Sequence, residues 1–214
     1  GPALLKQTDL ANVLDSIGRE GPDAFYRGDI AKLIVADIRD AGGILSLQDL
    51  EAYKPFVWNR GLEFNYRDYM VRVPPYGSAG ITTAMTLRMM DGTDVSSKGH
   101  NSVDMLHSYI SSARLAYADR FTYLGDQTIV DVPWKGLLSD TYTQRRRDSI
   151  SELVPVIYEP GDPWQDEGRR PTKQLAPSSP GWDLGTTHLS VIDGEGSAVS
   201  LTNTLMGGFG SGVV

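Results

Sequence analysis

The run Gly185-Thr186-Thr187-His188 joins a proline-rich stretch to a segment with strand character. A threonine hydroxyl is a weak nucleophile while the amine of the same residue is locked in a peptide bond. Breaking the bond before Thr186 would free an α-amine with a pKa of about 7.7–8.0, and that amine can take the proton of its own hydroxyl. Such a cleavage needs a segment that can leave ahead of the threonine and a stiff strand that stays behind it. The local pattern also fits a plainer reading. Threonine is β-branched and suits strands, so a Thr-Thr pair before one is common. His188 reads either as a general base or as a strand residue with satisfied ring nitrogens.

The elements that would position these residues are legible from spacing. Residues 188–192 and 198–205 have strand character, and Asp193-Gly194-Glu195-Gly196 between them reads as a hairpin turn. In that hairpin Thr204 lies on the strand beside Thr186, while the neighbouring Thr187 points to the opposite face. Between Val154 and Pro180 fall six of the chain's twelve prolines, which predicts an extended, mobile connector.

Upstream, helical patterns dominate. Residues 9–19 place Leu10, Val13, Leu14 and Ile17 on one face, with Thr8 as N-cap and Gly21 as terminator. A second helix starts near Asp29, carries Ile30, Leu33, Ile34 and Ile38, and ends at Gly42-Gly43. Ser46-Leu47-Gln48-Asp49 has the form of a capping box with Asp in place of Glu. Residues 58–66 and 69–73 are aromatic and β-branched and read as two strands, and residues 79–90 form a helix whose Met85, Met89 and Met90 suit core filling. The longest helix, residues 102–123, aligns Val103, Leu106, Ile110, Ala113, Tyr117 and Phe121. Arg145-Arg146-Arg147 falls late in a further helix, where it would complement the helix C-terminus.

Composition bounds the remaining possibilities. The chain has 214 residues, 40% apolar and 22% charged, in the range of an ordinary globular protein of one or two domains. No apolar run approaches the roughly 18–20 residues that span a bilayer, and no signal-peptide pattern opens the chain. The net charge of −7 argues against a nucleic-acid partner. With no cysteine, disulfides, thiolate metal sites and a cysteine nucleophile are excluded, and His100, His107 and His188 are not spaced as a metal pair.

Several of these segments, taken together, resemble the γ-glutamyltransferase family. Thr186-Thr187-His188-Leu189-Ser190-Val191-Ile192-Asp193, then Gly196-Ser197-Ala198-Val199-Ser200-Leu201-Thr202, then Phe209-Gly210-Ser211-Gly212, is similar to the start of that family's small subunit. Gly21-Pro22-Asp23-Ala24-Phe25-Tyr26-Arg27-Gly28, Gly42-Gly43-Ile44-Leu45-Ser46 and Asp49-Leu50-Glu51-Ala52-Tyr53 resemble the middle of the large subunit. So do Pro74-Pro75 with Ser78 and Gly80, Tyr117-Ala118-Asp119-Arg120, Tyr123-Leu124-Gly125-Asp126 and Val132-Pro133-Trp134. The matches follow the family's order and spacing across nearly the whole chain.

The resemblance implies an α+β chain contributing to the four-layer αββα sandwich of N-terminal-nucleophile hydrolases. Residues 1–185 would be the C-terminal part of the large-subunit region, with a connector at about 154–185, and residues 186–214 the start of the small-subunit region. It implies self-cleavage between Gly185 and Thr186, with Thr186 the nucleophile of both cleavage and acyl transfer and Thr204 hydrogen-bonded to it. The substrates implied are glutathione-like γ-glutamyl amides, with water or an amino acid as acceptor and no cofactor. The implied partners are the remaining parts of both subunits, and the implied location is periplasmic or extracellular.

Two departures bear on specificity. Met206 stands where the family usually has an asparagine that contacts the γ-glutamyl group, and Gly207-Gly208 stand where polar residues are usual. A methionine cannot replace an amide's hydrogen bonds. The family's carboxylate-binding arginine would precede this chain, and its paired-glycine oxyanion hole would follow it. The abrupt end at Phe209-Gly210-Ser211-Gly212-Val213-Val214 suggests a truncated chain, inactive by itself. An amidase or acylase of the same superfamily and a non-cleaving homologue are the rival readings. A phosphate-binding loop over residues 207–212 lacks the following lysine and helix.

Overall fold

The computed structural model describes residues 4–74, 78–153, 155, 157–173 and 186–204. The chain divides into two units, the first ending at Asn59 and the second beginning at Arg60. Among the described residues, helices and two short antiparallel hairpins make the fold α+β. Among the described residues no helix is long and apolar enough to cross a membrane.

The first unit comprises α1 (Thr8–Glu20), α2 (Pro22–Tyr26), α3 (Asp29–Asp40) and α4 (Leu47–Ala52). Helix α1 begins at Thr8 itself, after Gln7, so Thr8 is its first helical residue and not the expected N-cap. Gly21, at φ 73°, ends α1 and precedes Pro22, whose fixed φ suits the first position of α2. The capping box at α4 forms as the sequence suggests. Ser46 Oγ accepts from Asp49 N at 3.2 Å, and Asp49 Oδ2 accepts from Ser46 N at 2.9 Å.

The second unit is organised around a helix buried on most of its surface. Strands β1 (Leu62–Tyr66) and β2 (Tyr69–Val73) pair antiparallel, with Leu62 opposite Val73 and Tyr66 opposite Tyr69. Helix α5 (Gly80–Asp91) packs against this hairpin through Ala84, which meets Phe64 and Val73. A second cluster joins Ile81, Met85 and Met89 of α5 to Leu115 and Ala116 of α7 (Val103–Tyr123). Leu137 of α8 (Trp134–Leu137) and Tyr142 of α9 (Asp140–Asp148) complete that cluster. The methionines of α5 are thus core residues. Between α5 and α7 lies the short α6 (Val95–Lys98).

Helix α7 differs from its sequence pattern. Val103, Leu106, Ile110 and Tyr117 of the apolar stripe are exposed, and the buried positions are Ser108, Ser111, Ser112, Leu115, Ala116 and Asp119. Small side chains let α7 approach α5 closely. Two of the three buried serine hydroxyls have partners, Ser108 donating to the Asp104 carbonyl at 2.9 Å and Ser111 accepting from Tyr158 at 3.0 Å, while Ser112 Oγ has none among the described residues.

The arginine run also does more than complement a helix end. It does lie in the last turn of α9. Arg146, however, is buried and reaches Asp119, which has no solvent exposure, at 3.2 Å. Arg145 pairs with Asp166 of α10 (Trp164–Glu167).

The connector reading of residues 154–180 needs correction where that segment is described. Residues 157–173 are docked: Trp164 and Pro163 are buried, Gly161 N donates to Asp119 at 2.8 Å, and Asp131 holds the backbone of Thr172 and Lys173. Pro163 starts α10. The prolines of this part punctuate packed structure and do not mark a free chain.

Candidate active site

Strands β3 (Thr186–Ile192) and β4 (Ala198–Thr204) form an antiparallel hairpin of their own. Its turn is fixed by Asp193, whose Oδ1 accepts from Ser197 N at 2.8 Å and from Glu195 N at 2.9 Å. The backbone adds Asp193 N to the Ser197 carbonyl at 3.0 Å, and Gly196 supplies the left-handed residue at φ 87°. The Ser197 N–H is the main reason that the Asp193 carboxyl lies below its ordinary range.

This turn sets the register. Thr186 pairs with Thr204, His188 with Thr202 and Ser190 with Ser200, so six polar side chains share one face. The other face carries Thr187 with Asn203, Leu189 with Leu201 and Val191 with Val199. The apolar pairs are exposed among the described residues, Leu189 at 45%. Thr187, next to the candidate nucleophile, is therefore on the far side of the sheet.

On the polar face, Thr186 Oγ1 stands 3.2 Å from Thr204 Oγ1 in a hydrogen bond, although the two residues are eighteen positions apart. One rung nearer the turn, His188 Nδ1 lies 2.7 Å from Thr202 Oγ1. His188 Nε2 lies 3.1 Å from both Ser190 Oγ and Ser200 Oγ. Either imidazole tautomer is satisfied in this setting, because each hydroxyl can donate or accept. These contacts match the satisfied strand residue of the two readings of His188.

The structure therefore brings Thr186 and Thr204 together. Gly185, Met206 and Gly207-Gly208 lie outside the described residues. Sequence reasoning missed the Ser190, Ser200 and Thr202 contacts of His188. Their signal was present in the alternation: Thr186, His188 and Ser190 on one strand, and Ser200, Thr202 and Thr204 on the other, each spaced by two.

Chemically, the arrangement places two hydroxyls in contact at the head of a strand, directly after a glycine in the sequence. The neighbouring threonine hydroxyl can hold or polarise the candidate nucleophile, and among the described residues of the two strands no lysine or arginine shares the face. Among the described residues no group of three or more His, Asp or Glu is placed to hold a metal ion. A cleft of about 390 Å³ in the second unit is lined by Arg88, Arg147, Asp91 and Asp140, among others. Arg88 is ion-paired with Asp140 there.

The family model described as Gamma-glutamyltranspeptidase matches residues 2–214. The glutathione hydrolase proenzyme of Escherichia coli (strain K12) is 34% identical over 213 residues, covering 98% of this chain and 34% of that protein. The chain thus spans about a third of that relative's length. The crystal structure of Helicobacter pylori gamma-glutamyltranspeptidase superposes with a TM-score of 0.67 at 31% identity, over 73% of this chain and 46% of that one. Cephalosporin acylase from Bacillus halodurans gives a TM-score of 0.77 at 30% identity, over 95% of this chain and 33% of that one.

Proposed function

This chain belongs to the gamma-glutamyltranspeptidase family, and from that premise we propose that it carries the autocleavage point and nucleophile of a glutathione-hydrolase-type proenzyme. The observation that carries the proposal is the contact of Thr186 with Thr204 at the head of the hairpin. In the precursor, Thr186 Oγ adds to the Gly185 carbonyl and its proton passes to the leaving amine. The C–N bond breaks, and the acyl group now sits on oxygen as an ester. This shift is uphill from the amide unless the backbone is strained. Strain of about 1–3 kcal/mol per unusual backbone site is available in folded proteins, and glycine at 185 widens the conformations open to the chain.

Water then hydrolyses the ester, leaving a carboxylate on Gly185 and a free α-amine on Thr186. That amine takes the hydroxyl proton in each later turnover. Thr186 Oγ attacks the γ-glutamyl amide carbonyl, the amine of the leaving group departs with a proton, and an acyl-enzyme forms. Water or an amino acid then takes the acyl group and restores the hydroxyl. Thr204 orients Thr186 in both reactions. The oxyanion donors and the carboxylate-binding arginine come from the remainder of both subunits, with the enzyme acting in the periplasm or outside the cell.

A second reading keeps the nucleophile and changes the acyl group. It is favoured by Met206 and Gly207-Gly208, and by the superposition on a cephalosporin acylase over nearly the whole chain. Intact-mass spectrometry of the full-length protein after incubation tests both readings at the processing step. Two chains whose masses sum to the precursor plus one water are expected, the smaller beginning Thr186-Thr187-His188. A single unchanged mass would overturn them. Hydrolysis of a γ-glutamyl anilide compared with an acyl amide lacking the α-amino acid end then separates the two.

A further inference from the structure

We infer that His188 is a positioning residue for the chemistry at Thr186, an inference that rests on the reading of Thr186 as nucleophile. Three pairs on the polar face matter: Thr186 with Thr204, His188 with Thr202 and Ser190 with Ser200. Among the described pairs the first lies farthest from the turn at Asp193. Neighbouring rungs of a ladder share their strands, so the spacing of Thr186 and Thr204 depends on what holds the rung beneath it.

His188 is that hold. Its ring crosses to Thr202 at 2.7 Å, two residues before Thr204 on the same strand and face. Its other nitrogen binds Ser190 along its own strand and Ser200 diagonally, each at 3.1 Å. One side chain thus ties both strands together immediately below the two threonines. With both nitrogens engaged by these hydroxyls, the imidazole is occupied in holding the ribbon, and the duty of base stays with the α-amine of Thr186. Loosening the clamp would let Thr204 drift from Thr186, and a misplacement near 1 Å costs about 10²-fold in rate.

The test uses the full-length protein and two readouts: the rate of self-cleavage by intact mass, and kcat and KM for a γ-glutamyl anilide measured on the processed fraction. His188→Ala should slow cleavage and lower kcat by about tenfold or more, with KM within about twofold. His188→Asn places an amide where Nδ1 met Thr202, and should recover most of the loss. Should His188→Ala fail to fold, Thr202→Val decides, since it removes the hydroxyl and keeps the β-branched shape; it should reproduce the kcat loss.

Wild-type rates in His188→Ala or in Thr202→Val overturn the inference, as does a His188→Asn variant no better than alanine. A change confined to KM overturns it too. If Thr186→Ala abolishes cleavage while His188→Ala leaves it untouched, the inference alone fails. If Thr186→Ala still matures, the nucleophile reading fails and takes this inference with it.

Discussion

Asp119 and Arg146, twenty-seven residues apart, form an ion pair within the second unit, at 3.2 Å and with no exposure of the carboxylate. Asp119 also accepts from Gly161 N at 2.8 Å, and Arg146 donates to the carbonyls of Leu115 at 3.3 Å and Glu159 at 2.9 Å. Burial pushes the Asp119 carboxyl up, while Arg146 and the Gly161 N–H oppose that shift. One pair therefore fastens α7, α9 and the segment ahead of α10 to each other. Replacing Asp119 by Ala should destabilise the full-length protein by about 3–5 kcal/mol, because it leaves Arg146 buried without its counter-charge. Urea denaturation measures this, and a loss under about 1 kcal/mol would mean that Arg146 finds water or another partner.

In the proposed mechanism one hydroxyl serves both reactions, so Thr186→Ala should block both maturation and turnover. Thr187→Ala should still cleave, because its side chain is on the aliphatic face of the hairpin. Mass spectrometry of the two variants after equal incubation checks the contrast. Cleavage in both, or in neither, would remove the assignment of Thr186.

Thr204→Ala should slow self-cleavage by about tenfold to a hundredfold, the range of a lost hydrogen bond of about 1.5–3 kcal/mol to a group that gains charge as it reacts. Thr204→Ser keeps the hydroxyl of the 3.2 Å contact and should stay much nearer wild type. Time courses of the smaller chain on a denaturing gel discriminate the two. Equal rates for the alanine and serine variants would show that the Thr204 hydroxyl has no part in the step.

Met206→Asn restores an amide where the family usually has one, and should raise kcat/KM for a γ-glutamyl anilide if the methionine has displaced a polar contact. Steady-state kinetics on the processed enzyme measures this. An unchanged or lower value would show that the methionine is compensated elsewhere.

Asp131 offers a pH prediction. The Thr172 N–H, Arg169, the Thr172 hydroxyl and the Lys173 N–H together hold its carboxyl far below the ordinary carboxylate range. A lowered folded-state value means that the stabilisation is complete above the unfolded value of about 3.9 and is lost as pH falls through the folded one. Exchange protection of the Thr172 and Lys173 amides, corrected for intrinsic rates, should be the same at pH 7 and pH 5. Asp131→Ala should abolish it at pH 7. Loss of protection in the wild type by pH 5 would contradict this account.

Local grammar was legible in the sequence wherever one element decides the outcome by itself. The capping box at Ser46 and Asp49, the stop at Gly21 and the hairpin around Asp193 depend on neighbours a few residues away. Counting along that hairpin placed Thr204 on the strand beside Thr186, and the family resemblance implied the hydrogen bond between them. What was not legible depends on distant partners. The buried side of α7 carries small serines, two of them hydrogen-bonded internally, so its apolar stripe misled about the inward face. Proline density suggested a loose connector. Asp119 and Asp131, far away in sequence, dock its described part. The clamp of His188 needed side-chain positions on two strands at once.

The two-sidedness of the β3–β4 hairpin constrains the length of its turn by parity. An insertion of one residue between Ile192 and Ala198 that shifted the pairing by one would turn β4 over relative to β3. Thr204 would then be on the aliphatic side and Asn203 would face Thr186. An insertion of two residues could leave every side chain on its present face. Natural or engineered variants that keep the nucleophile should therefore tolerate changes in the identity of Gly194 and Glu195, and even-numbered changes in loop length, far better than the gain or loss of a single residue there.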